Sequence, residues 1–285
     1  MIVITGGTGK LGSRIVGRLR ELVPAEQIGV SVRDVDRAGN LGVRVRRGDF
    51  GDPQSLAEAF EGATQVLIVS ANETGGKAVE SHRTAIEAAS AAGAGRVLYT
   101  SHQGAAEDSL FAPMPDHAAT EAYLAKTGTP FTVLRNGFYA STVPQLLGAA
   151  LETGELVAPA DGPVSWTAHA DLAEAAAIIL ASGSSFEGPT PPLTAPVALD
   201  LTDVARILSE LTGRTIRRVV ADDEDWVRSL TGHGVPAPRA EMLLGMFHAS
   251  RRGEFAAVDP ELERLLGRPA TSMRSVLAEA IAGSA

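Results

Sequence analysis

The chain has 285 residues, of which 45% are hydrophobic and 21% are charged, and its formal net charge is -9. This length allows one large domain or two modest ones with a sizeable core. The absence of cysteine excludes disulfides, thiolate nucleophiles and cysteine-based zinc sites, and six scattered histidines predict no metal site. The acidic balance argues against nucleic acid as a partner.

The chain opens on a short apolar run and contains no apolar stretch near the roughly 20 residues that cross a membrane. Such an opening does not match a signal peptide, so we expect a cytoplasmic protein that contacts neither a membrane nor nucleic acid. Its partner is expected to be a small molecule. The sequence leaves open whether two copies form a homodimer.

Six short runs rich in β-branched residues predict strands in the first half of the chain: IVIT, QIGVSV, VRVRRGDF, QVLIVSA, RVLYTS and PFTVLRN. Helical stretches rich in alanine and leucine lie between most of them. This alternation is typical of βαβ units in a mostly parallel sheet with helices on both faces. The predicted fold is therefore α/β, a Rossmann-like doubly wound parallel sheet.

After Asn136 the pattern changes. The segment 141–156 predicts a helix, and 156–183 predicts a turn-rich strand region followed by an amphipathic helix. A further helix is predicted over 199–213, with Asp200, Thr202 and Asp203 as candidate caps. We expect residues 1–139 to form the Rossmann-like domain, completed by segments within 155–198, and residues 140–285 to form a smaller, mainly helical C-terminal lobe.

The segment TGGTGKLG follows the first predicted strand and leads into the first predicted helix. Gly6, Gly9 and Gly12 have the spacing that a tight turn, close approach of a pyrophosphate and packing of a helix on a sheet require. Glycine triplets alone are a weak signal, but this one begins a series of βαβ units. The sequence therefore predicts that residues 1–139 bind NAD(P).

The second predicted strand ends at Arg33, where dinucleotide-binding folds recognise the adenosine ribose. A guanidinium suits the 2′-phosphate of NADP, so we expect NADPH to be preferred and NADH to remain possible. Asp34 beside it is able to accept a ribose hydroxyl. Asp49 and Phe50 are candidates for adenine contact, although Asp49 equally suits a strand end before a helix cap at Asp52.

Segments spread along nearly the whole chain resemble the NmrA-like branch of the atypical short-chain dehydrogenase/reductases. Within that branch the chain looks most like the type 2 NAD(P)H:quinone oxidoreductases and the triphenylmethane reductases. The segments that carry the resemblance are TGGTGKLG, VRDVDRA, RRGDFGDPQSL, LIVSANE, VLYTS, HAATEAYLAKTGTPFTVLRNGFY and the late GRP. The HxxTE motif with the TGTPFTVLRN segment after it is more specific than the glycine turn.

This resemblance implies an NAD(P)H-dependent reductase that transfers hydride to a quinone or similar conjugated acceptor, in a cleft between the sheet and the second lobe. It implies that Arg33 contacts the adenosine phosphate and that the pyrophosphate lies among Gly6, Thr8, Gly9, Lys10 and Leu11. The ribose and nicotinamide are expected along two strand ends, at Ala71, Asn72, Glu73, Asn136, Gly137, Phe138 and Tyr139.

The Tyr-x-x-x-Lys acid/base pair of the more familiar short-chain dehydrogenases is missing, because Tyr123 is followed by Lys126 at one position too few. Alcohol dehydrogenation by that pair is therefore not expected. A quinone or a cationic dye needs less proton transfer, so positioning alone can suffice. No catalytic residue is assigned; His102, after VLYTS, and Tyr139 are candidates.

Two further expectations concern a pair of polar residues on one predicted helix and two aromatic residues. His117 and Glu121 lie one helical turn apart, and pairing on one helix face is favoured over a catalytic role. Phe138 and Trp166 suit the core at least as well as a substrate pocket.

The resemblance leaves other functions open. Some NmrA-like proteins bind dinucleotide and report redox state through a protein partner, so a sensor without turnover is the alternative. An isomerase or reductase of a specialised biosynthetic route is a third interpretation.

Overall fold

The computed structural model describes residues 1–39, 41–183 and 186–283. Its strands are β1 (Ile2–Thr5), β2 (Ile28–Val32), β3 (Arg44–Arg47), β4 (Gln65–Ile68), β5 (Arg96–His102), β6 (Phe131–Asn136), β7 (Glu155–Pro159), β8 (Gly188–Pro189) and β9 (Arg217–Ala221). A seven-stranded sheet has the order β3-β2-β1-β4-β5-β6-β8, and β7 pairs with β9. Every strand pair is parallel. The six strands predicted from the sequence are confirmed.

The described residues also form twelve α-helices. They are α1 (Lys10–Leu19), α2 (Pro53–Phe60), α3 (Gly76–Ala91), α4 (Pro113–Leu124), α5 (Val143–Leu146), α6 (Ala150–Thr153), α7 (His169–Ala181), α8 (Leu201–Thr212), α9 (Asp223–Gly232), α10 (Ala237–Arg251), α11 (Glu261–Leu266) and α12 (Met273–Ala282). None of these helices is long and apolar enough to cross a bilayer.

The two faces of the large sheet bury separate cores, because successive side chains of a strand point to opposite faces. On one face, Val66 and Val97 pack with side chains of α2, α3 and α4. On the other, Leu67 and Leu98 pack with side chains of α1 and α7. Helices therefore cover both faces, which confirms the doubly wound α/β prediction.

A third core lies in the second half of the chain, where β7, α8, α10 and α12 surround the buried Trp166. The helix predicted over 141–156 is wrong as a single element. It is interrupted at Gly148, whose φ of 51° is left-handed, and β7 already begins at Glu155. Of the candidate caps, Asp200 caps α8 by accepting from the backbone N–H groups of Thr202 and Asp203.

Helix α7 was expected to be amphipathic, but it is buried on most of its surface. The reason is that α1 and α11 both pack against it. Strand β8, which follows α7, pairs with β6. Segments that follow residue 155 thus join the large sheet and its helical layer.

The order of the sheet reverses between β1 and β4, which are neighbours in space although β2 and β3 separate them in sequence. Open α/β sheets bind ligands at such a switch point, in the crevice beyond the carboxyl ends of the strands. The segments that follow β1, β4, β5 and β6 line this crevice.

Candidate active site

The turn between β1 and α1 leaves the start of the helix open. Gly6 has φ +62° and donates from its N–H to the Ser31 carbonyl at 3.0 Å, and Gly9 N–H donates to the Gly6 carbonyl at 2.9 Å. Gly9 is the N-cap of α1, and no side chain in the described part of the chain caps the helix there. The first N–H groups of the helix therefore face the crevice with the positive end of the helix dipole, as an anion site requires.

The glycines of this turn divide into two groups by the room around them. A Cβ on Gly12 would lie 2.3 Å from the Gly6 carbonyl oxygen, and one on Gly7 would lie 2.3 Å from Val30 Cγ1. These two glycines are needed for packing. A Cβ on Gly9 meets only the Gly6 oxygen, at 3.3 Å, and Gly6 and Gly9 are both exposed. The open side of the turn fits a pyrophosphate.

The other residues predicted around the pyrophosphate differ in exposure. Thr8 and Lys10 are exposed, whereas the Leu11 side chain is 6% exposed and packs in the core beneath α1. Only the backbone of Leu11 is therefore available to a ligand.

Arg33 follows β2 directly and is exposed. Among the described residues, no carboxylate forms a salt bridge with it. Asp34 is engaged locally, because its Oδ1 accepts from the N–H groups of Asp36 and Arg37 at 3.1 and 3.4 Å. The Arg33 guanidinium therefore has no described carboxylate partner beside the crevice, whereas the Asp34 carboxylate stabilises a local turn.

The Asp49 side chain also has a local partner, since its Oδ1 accepts from Gly51 N–H at 2.9 Å. Asp52 caps α2 by accepting from Ser55 N–H at 3.2 Å, as expected for a strand end followed by a helix cap. Phe50 is partly buried and packs against the core of α2 and α3. Contact of Asp49 or Phe50 with adenine stays a prediction.

After β6, Asn136 is 2% exposed, and its Oδ1 has no hydrogen-bond partner among the described residues. Gly137 is a packing glycine, because a Cβ there would lie 2.2 Å from Thr167 Oγ1. The Phe138 ring is buried, and its centroid lies 5.0 to 5.2 Å from the rings of Phe255, Trp166 and His102.

The Tyr139 ring lies against His169, with 4.1 Å between the ring centroids. Sequence reasoning missed His169, which begins α7 and carries no motif. Burial, reinforced by the charges of Arg14 and Lys10, lowers the pKa of His169 to about 4. The His169 ring is therefore neutral near pH 7. It lies beside the crevice because α7, which it begins, packs against α1.

Beyond β4, the predicted contacts Asn72 and Glu73 are exposed, and Ala71 N–H donates to His82 Nε2 at 3.0 Å. The proton of His82 is therefore on Nδ1, which lies 3.0 Å from Thr120 Oγ1. Thr120 in turn donates to the Asp116 carbonyl at 2.8 Å. This buried chain ties the loop after β4 to α4.

Tyr99 is fully buried on β5 and its hydroxyl lies 2.8 Å from His117 Nδ1. Burial raises the pKa of Tyr99, so the hydroxyl keeps its proton in this hydrogen bond with His117. Burial also lowers the pKa of His117 to about 3, with a smaller contribution from His82. His117 is therefore a neutral imidazole near pH 7.

His102, at the end of β5, accepts from Gly104 N–H at its Nδ1, with 3.0 Å between the atoms. Its proton is consequently on Nε2, and that atom is buried with no hydrogen-bond partner among the described residues. Burial, with a smaller contribution from His117, lowers the pKa of His102 to about 3.

The expected pairing of His117 with Glu121 is wrong. Glu121 instead accepts from Ser101 Oγ and from Arg135 Nη2, each at 2.6 Å. The side chains of His117 and Glu121 both point from α4 toward the sheet. Each is hydrogen-bonded there to a different polar residue, so the two do not pair with each other.

Two aromatic residues singled out in the sequence lie away from the crevice. The Tyr123 hydroxyl donates to Glu87 on α3 at 2.5 Å, and Arg83 lies over its ring at 4.6 Å from the centroid. Trp166 is 4% exposed and donates to the Leu199 carbonyl at 3.0 Å. Trp166 therefore belongs to the core of the second lobe.

A groove of about 530 Å³ begins at the loop after β4 and runs along α10. One wall carries Leu110, which is 47% exposed, and the other carries Met242. The remaining lining residues are Asn72, Thr74, Ala112, Pro238, Arg239, Glu241 and Gly245. The groove is a partly apolar surface, and one of its lining residues, Asn72, is predicted to contact the cofactor.

The fold and this site together define a Rossmann-like protein with an uncapped helix N-terminus at the switch point of its sheet. The chain belongs to the NmrA-like family, whose model matches residues 1–276. It is 34% identical over 277 residues to Quinone oxidoreductase 2 of Escherichia coli K12, and the alignment covers 96% of each chain.

Two solved structures are similar over almost their full length. NADPH-dependent quinone oxidoreductase from Escherichia coli, complexed with NADPH, has a TM-score of 0.91 and 33% identity, with 100% of this chain and 99% of that chain covered. Triphenylmethane reductase from Citrobacter sp., complexed with NADP(H), has a TM-score of 0.91 and 32% identity, with 98% and 100% covered. The predicted family membership is confirmed.

Proposed function

We propose that this protein is an NADPH-dependent reductase that passes a hydride to a quinone or a similar conjugated small molecule. The observation that carries the proposal is the start of α1 at the switch point, which no described side chain caps, with Arg33 beside it and paired with no described carboxylate. The names of its relatives, quinone oxidoreductase and triphenylmethane reductase, support the acceptor class. A cytoplasmic location belongs to the same proposal.

The dinucleotide would be held along the carboxyl edge of the sheet. Arg33 would bind the 2′-phosphate, and the adenine would lie near Asp49 and Phe50. The remaining binding residues we propose are Gly6, Thr8, Gly9, Lys10, Leu11, Gly12, Ala71, Asn72, Glu73, Asn136, Gly137, Phe138 and Tyr139. Residues 1–139, with the segments within 155–198 that complete the sheet, would form the cofactor domain, and residues 140–285 the substrate lobe.

When bound, the dinucleotide supplies the hydride, and the chain has to orient the acceptor and exclude water. The groove between Leu110 and Met242 offers a partly apolar surface for a flat conjugated ring. The histidines near the crevice are neutral at pH 7, because burial lowers the pKa values of His82, His102 and His117 to about 3 to 4. None of them is therefore an imidazolium acid, and water supplies the proton that completes reduction of a quinone.

The test is oxidation of NADPH, followed by its absorbance, with and without a soluble naphthoquinone. We expect turnover that depends on both, with NADPH preferred to NADH. A fluorescence titration of the same protein with NADPH measures binding separately. Tight binding without turnover of any quinone or dye would favour the dinucleotide sensor, and no binding would refute the reductase.

A further inference from the structure

The loop after β4 is held at both ends and open between them. Its middle residues 72–74, called here the open stretch, are exposed, and no described residue forms a hydrogen bond with them. At one end, Ala71 N–H donates to His82 Nε2 on α3 at 3.0 Å. At the other end, Gly75 N–H donates to Asp116 Oδ2 on α4 at 2.6 Å. The backbone between these two anchors is therefore available to a ligand.

A ligand can reach the open stretch from outside the protein. The stretch follows β4, the strand beside β1 at which the order of the sheet reverses, so it borders the crevice. Asn72 and Thr74 also line the groove of about 530 Å³. The His82 side chain is only 2% exposed, so it acts on the loop from behind and does not itself meet a ligand.

The anchor at His82 belongs to a buried chain of hydrogen bonds. Because Ala71 N–H occupies Nε2, the ring proton is on Nδ1, and Nδ1–H donates to Thr120 Oγ1 at 3.0 Å. The Thr120 hydroxyl, which is fully buried, donates in turn to the Asp116 carbonyl at 2.8 Å. Burial lowers the pKa of His82 to about 4, so the ring near pH 7 has the lone pair that Ala71 N–H requires.

Both anchors end on the same turn of α4. The Asp116 carboxylate holds Gly75, and the Asp116 carbonyl ends the chain that begins at His82. Helix α4 is itself fixed on the sheet, because its Met114 and Leu124 side chains are buried. The loop is therefore attached to a rigid element on each side of the open stretch.

The residues that lead into the loop are held by the sheet. Val69 N–H donates to Thr5 Oγ1 and Ser70 N–H donates to Thr100 Oγ1, each at 2.9 Å. With the two anchors added, the loop is ordered before a ligand binds. A loop without them would have to be ordered at the moment of binding, which costs conformational entropy and weakens affinity.

We propose that His82 and Asp116 are positioning residues that hold the open stretch in the conformation that contacts the ribose and nicotinamide half of the dinucleotide. This inference rests on the proposed function. Each side chain acts through the backbone N–H that it accepts from. Loss of either anchor should therefore weaken binding of the nicotinamide half and leave the adenosine half, bound near Arg33, unchanged.

Two ligands of different length separate the halves. NADPH contains both, whereas adenosine 2′,5′-bisphosphate contains only the adenosine half with its 2′-phosphate. His82→Leu removes the acceptor from an apolar surrounding and should weaken NADPH binding roughly threefold to tenfold, the loss expected for one hydrogen bond. Asp116→Ala, at a half-buried position, should have an effect of the same size. Calorimetric titration should show neither variant changing the affinity for the bisphosphate.

Conservative variants distinguish the hydrogen bond from the volume of the side chain. His82→Gln and Asp116→Asn each keep an oxygen that is able to accept from the loop N–H. Both should restore most of the NADPH affinity that His82→Leu and Asp116→Ala lose. Failure of both to exceed the affinity of His82→Leu and Asp116→Ala would overturn the role of the hydrogen bonds.

The matched control is Ser90→Ala near the carboxyl end of α3. The Ser90 hydroxyl lies 2.9 Å from Thr129 Oγ1, so this variant also removes a hydrogen bond between α3 and the segment around α4. It does so at the end of α3 opposite to the crevice. Its affinity for NADPH should equal that of the unmodified protein, even if its Tm falls as much as that of His82→Leu.

Hydrogen exchange followed by mass spectrometry gives a readout without any ligand. Peptides that cover residues 71–75 should exchange faster in His82→Leu and Asp116→Ala than in the unmodified protein and in Ser90→Ala. Unchanged NADPH affinity in both anchor variants would overturn the inference whatever the exchange rates, and so would equal weakening of NADPH and the bisphosphate. NADPH binding that depends on the anchors but gives no turnover would refute only the reductase, and no NADPH binding by the unmodified protein would refute the proposed function itself.

Discussion

Arg33 is the side chain on which the choice between the two nicotinamide dinucleotides depends. It is exposed after β2 and pairs with no described carboxylate, so its charge is available to a 2′-phosphate. Arg33→Ala should weaken NADPH binding by about tenfold to a hundredfold, because a charge-assisted hydrogen bond contributes about 1.5–3 kcal/mol. Binding of NADH should change little. Calorimetric titration with each dinucleotide measures both constants.

The matched control is Arg20→Ala, an exposed arginine just past the opposite end of α1. It should leave both affinities unchanged. If Arg33→Ala weakens NADPH and NADH equally, the 2′-phosphate assignment is wrong.

Gly9 tests whether the open side of the turn receives phosphate. Its φ of -81° is available to any residue, and an added Cβ meets only the Gly6 oxygen at 3.3 Å. Gly9→Val should therefore fold and unfold cooperatively but lose dinucleotide binding, because the side chain occupies the place of the pyrophosphate. Thermal melting with and without NADPH measures both properties at once, since a ligand that binds only the folded state raises Tm.

Gly17 provides a control in the same helix, because a Cβ there meets nothing within 4 Å. Gly17→Ala should stabilise the protein by about 0.5–1 kcal/mol through helix propensity, with NADPH binding unchanged. Retention of normal affinity by Gly9→Val would mean that the turn is structural only.

Tyr123 bears on the mechanism because it is the tyrosine nearest in sequence to a lysine at acid/base spacing. Its hydroxyl donates a hydrogen bond to Glu87 on α3, at an exposed position. Tyr123→Phe should therefore keep at least half of the turnover with a quinone. Loss of an acid/base group costs about 10²- to 10⁴-fold, and a fall of that size in steady-state kinetics would restore an acid/base mechanism.

Helix α7 is attached to the C-terminal segment through a buried carboxylate. Asp171 is 0% exposed and accepts from Arg268 Nη2 at 2.8 Å and from Thr271 N–H at 2.6 Å. The GRP motif thus provides, with Arg268, the counter-ion of a charge buried beside α1. The element that begins with His169 is held in place by residues about a hundred positions away.

Arg268→Ala should destabilise the fold by about 1.5–3 kcal/mol, because Asp171 loses a charged hydrogen bond and Glu174 loses an ion pair. Urea unfolding measures the difference. The control is Arg228→Ala on α9, whose pairs with Glu224 and Asp225 are at the surface, and no measurable loss is expected there. Equal midpoints for the two variants would show that Thr271 alone satisfies Asp171.

For the molecule as a whole, the buried histidines set the stability on the acid side of neutrality. Their folded pKa values, about 4 for His82 and about 3 for His102 and His117, lie below the ordinary value of 6.5. Below pH 6.5 the unfolded chain therefore binds protons that the folded chain does not. The stabilisation is complete above pH 6.5 and is lost as the pH falls toward the folded values.

Urea unfolding between pH 7.5 and 5 should show a free energy of unfolding that declines with decreasing pH, by up to about 1.4 kcal/mol per pH unit for each histidine. Asp223, with its pKa lowered to about 2 chiefly by the hydrogen bond from Arg251, titrates below this range, whereas burial raises the pKa of Asp161 toward it. His102→Leu should reduce this dependence of the free energy of unfolding on pH by up to about 1.4 kcal/mol per pH unit. Stability that is constant over this range would contradict neutral burial.

The local patterns of the sequence determined the elements of the first half of the chain and the chemistry of the glycine turn. Five of the six strands are mostly buried runs rich in β-branched residues, whereas β3 is a partly exposed, arginine-rich strand at the sheet edge. The spacing of Gly6, Gly9 and Gly12 reflects steric demands within seven residues. The predicted role of Arg33 follows from its position at the end of the next strand after that turn. Each of these features depends on neighbours in sequence, so it is readable without a fold.

The tertiary structure alone decided which side chains meet. Helix α7 is buried because α1 and α11 cover it, and the 141–156 segment breaks where Gly148 turns and β7 pairs with β9. The tautomers of His102 and His82 depend on the backbone N–H donors of Gly104 and Ala71. Hydrogen-bond partners and burial are properties of contacts between segments, and a one-dimensional pattern carries neither distance nor direction across the sheet.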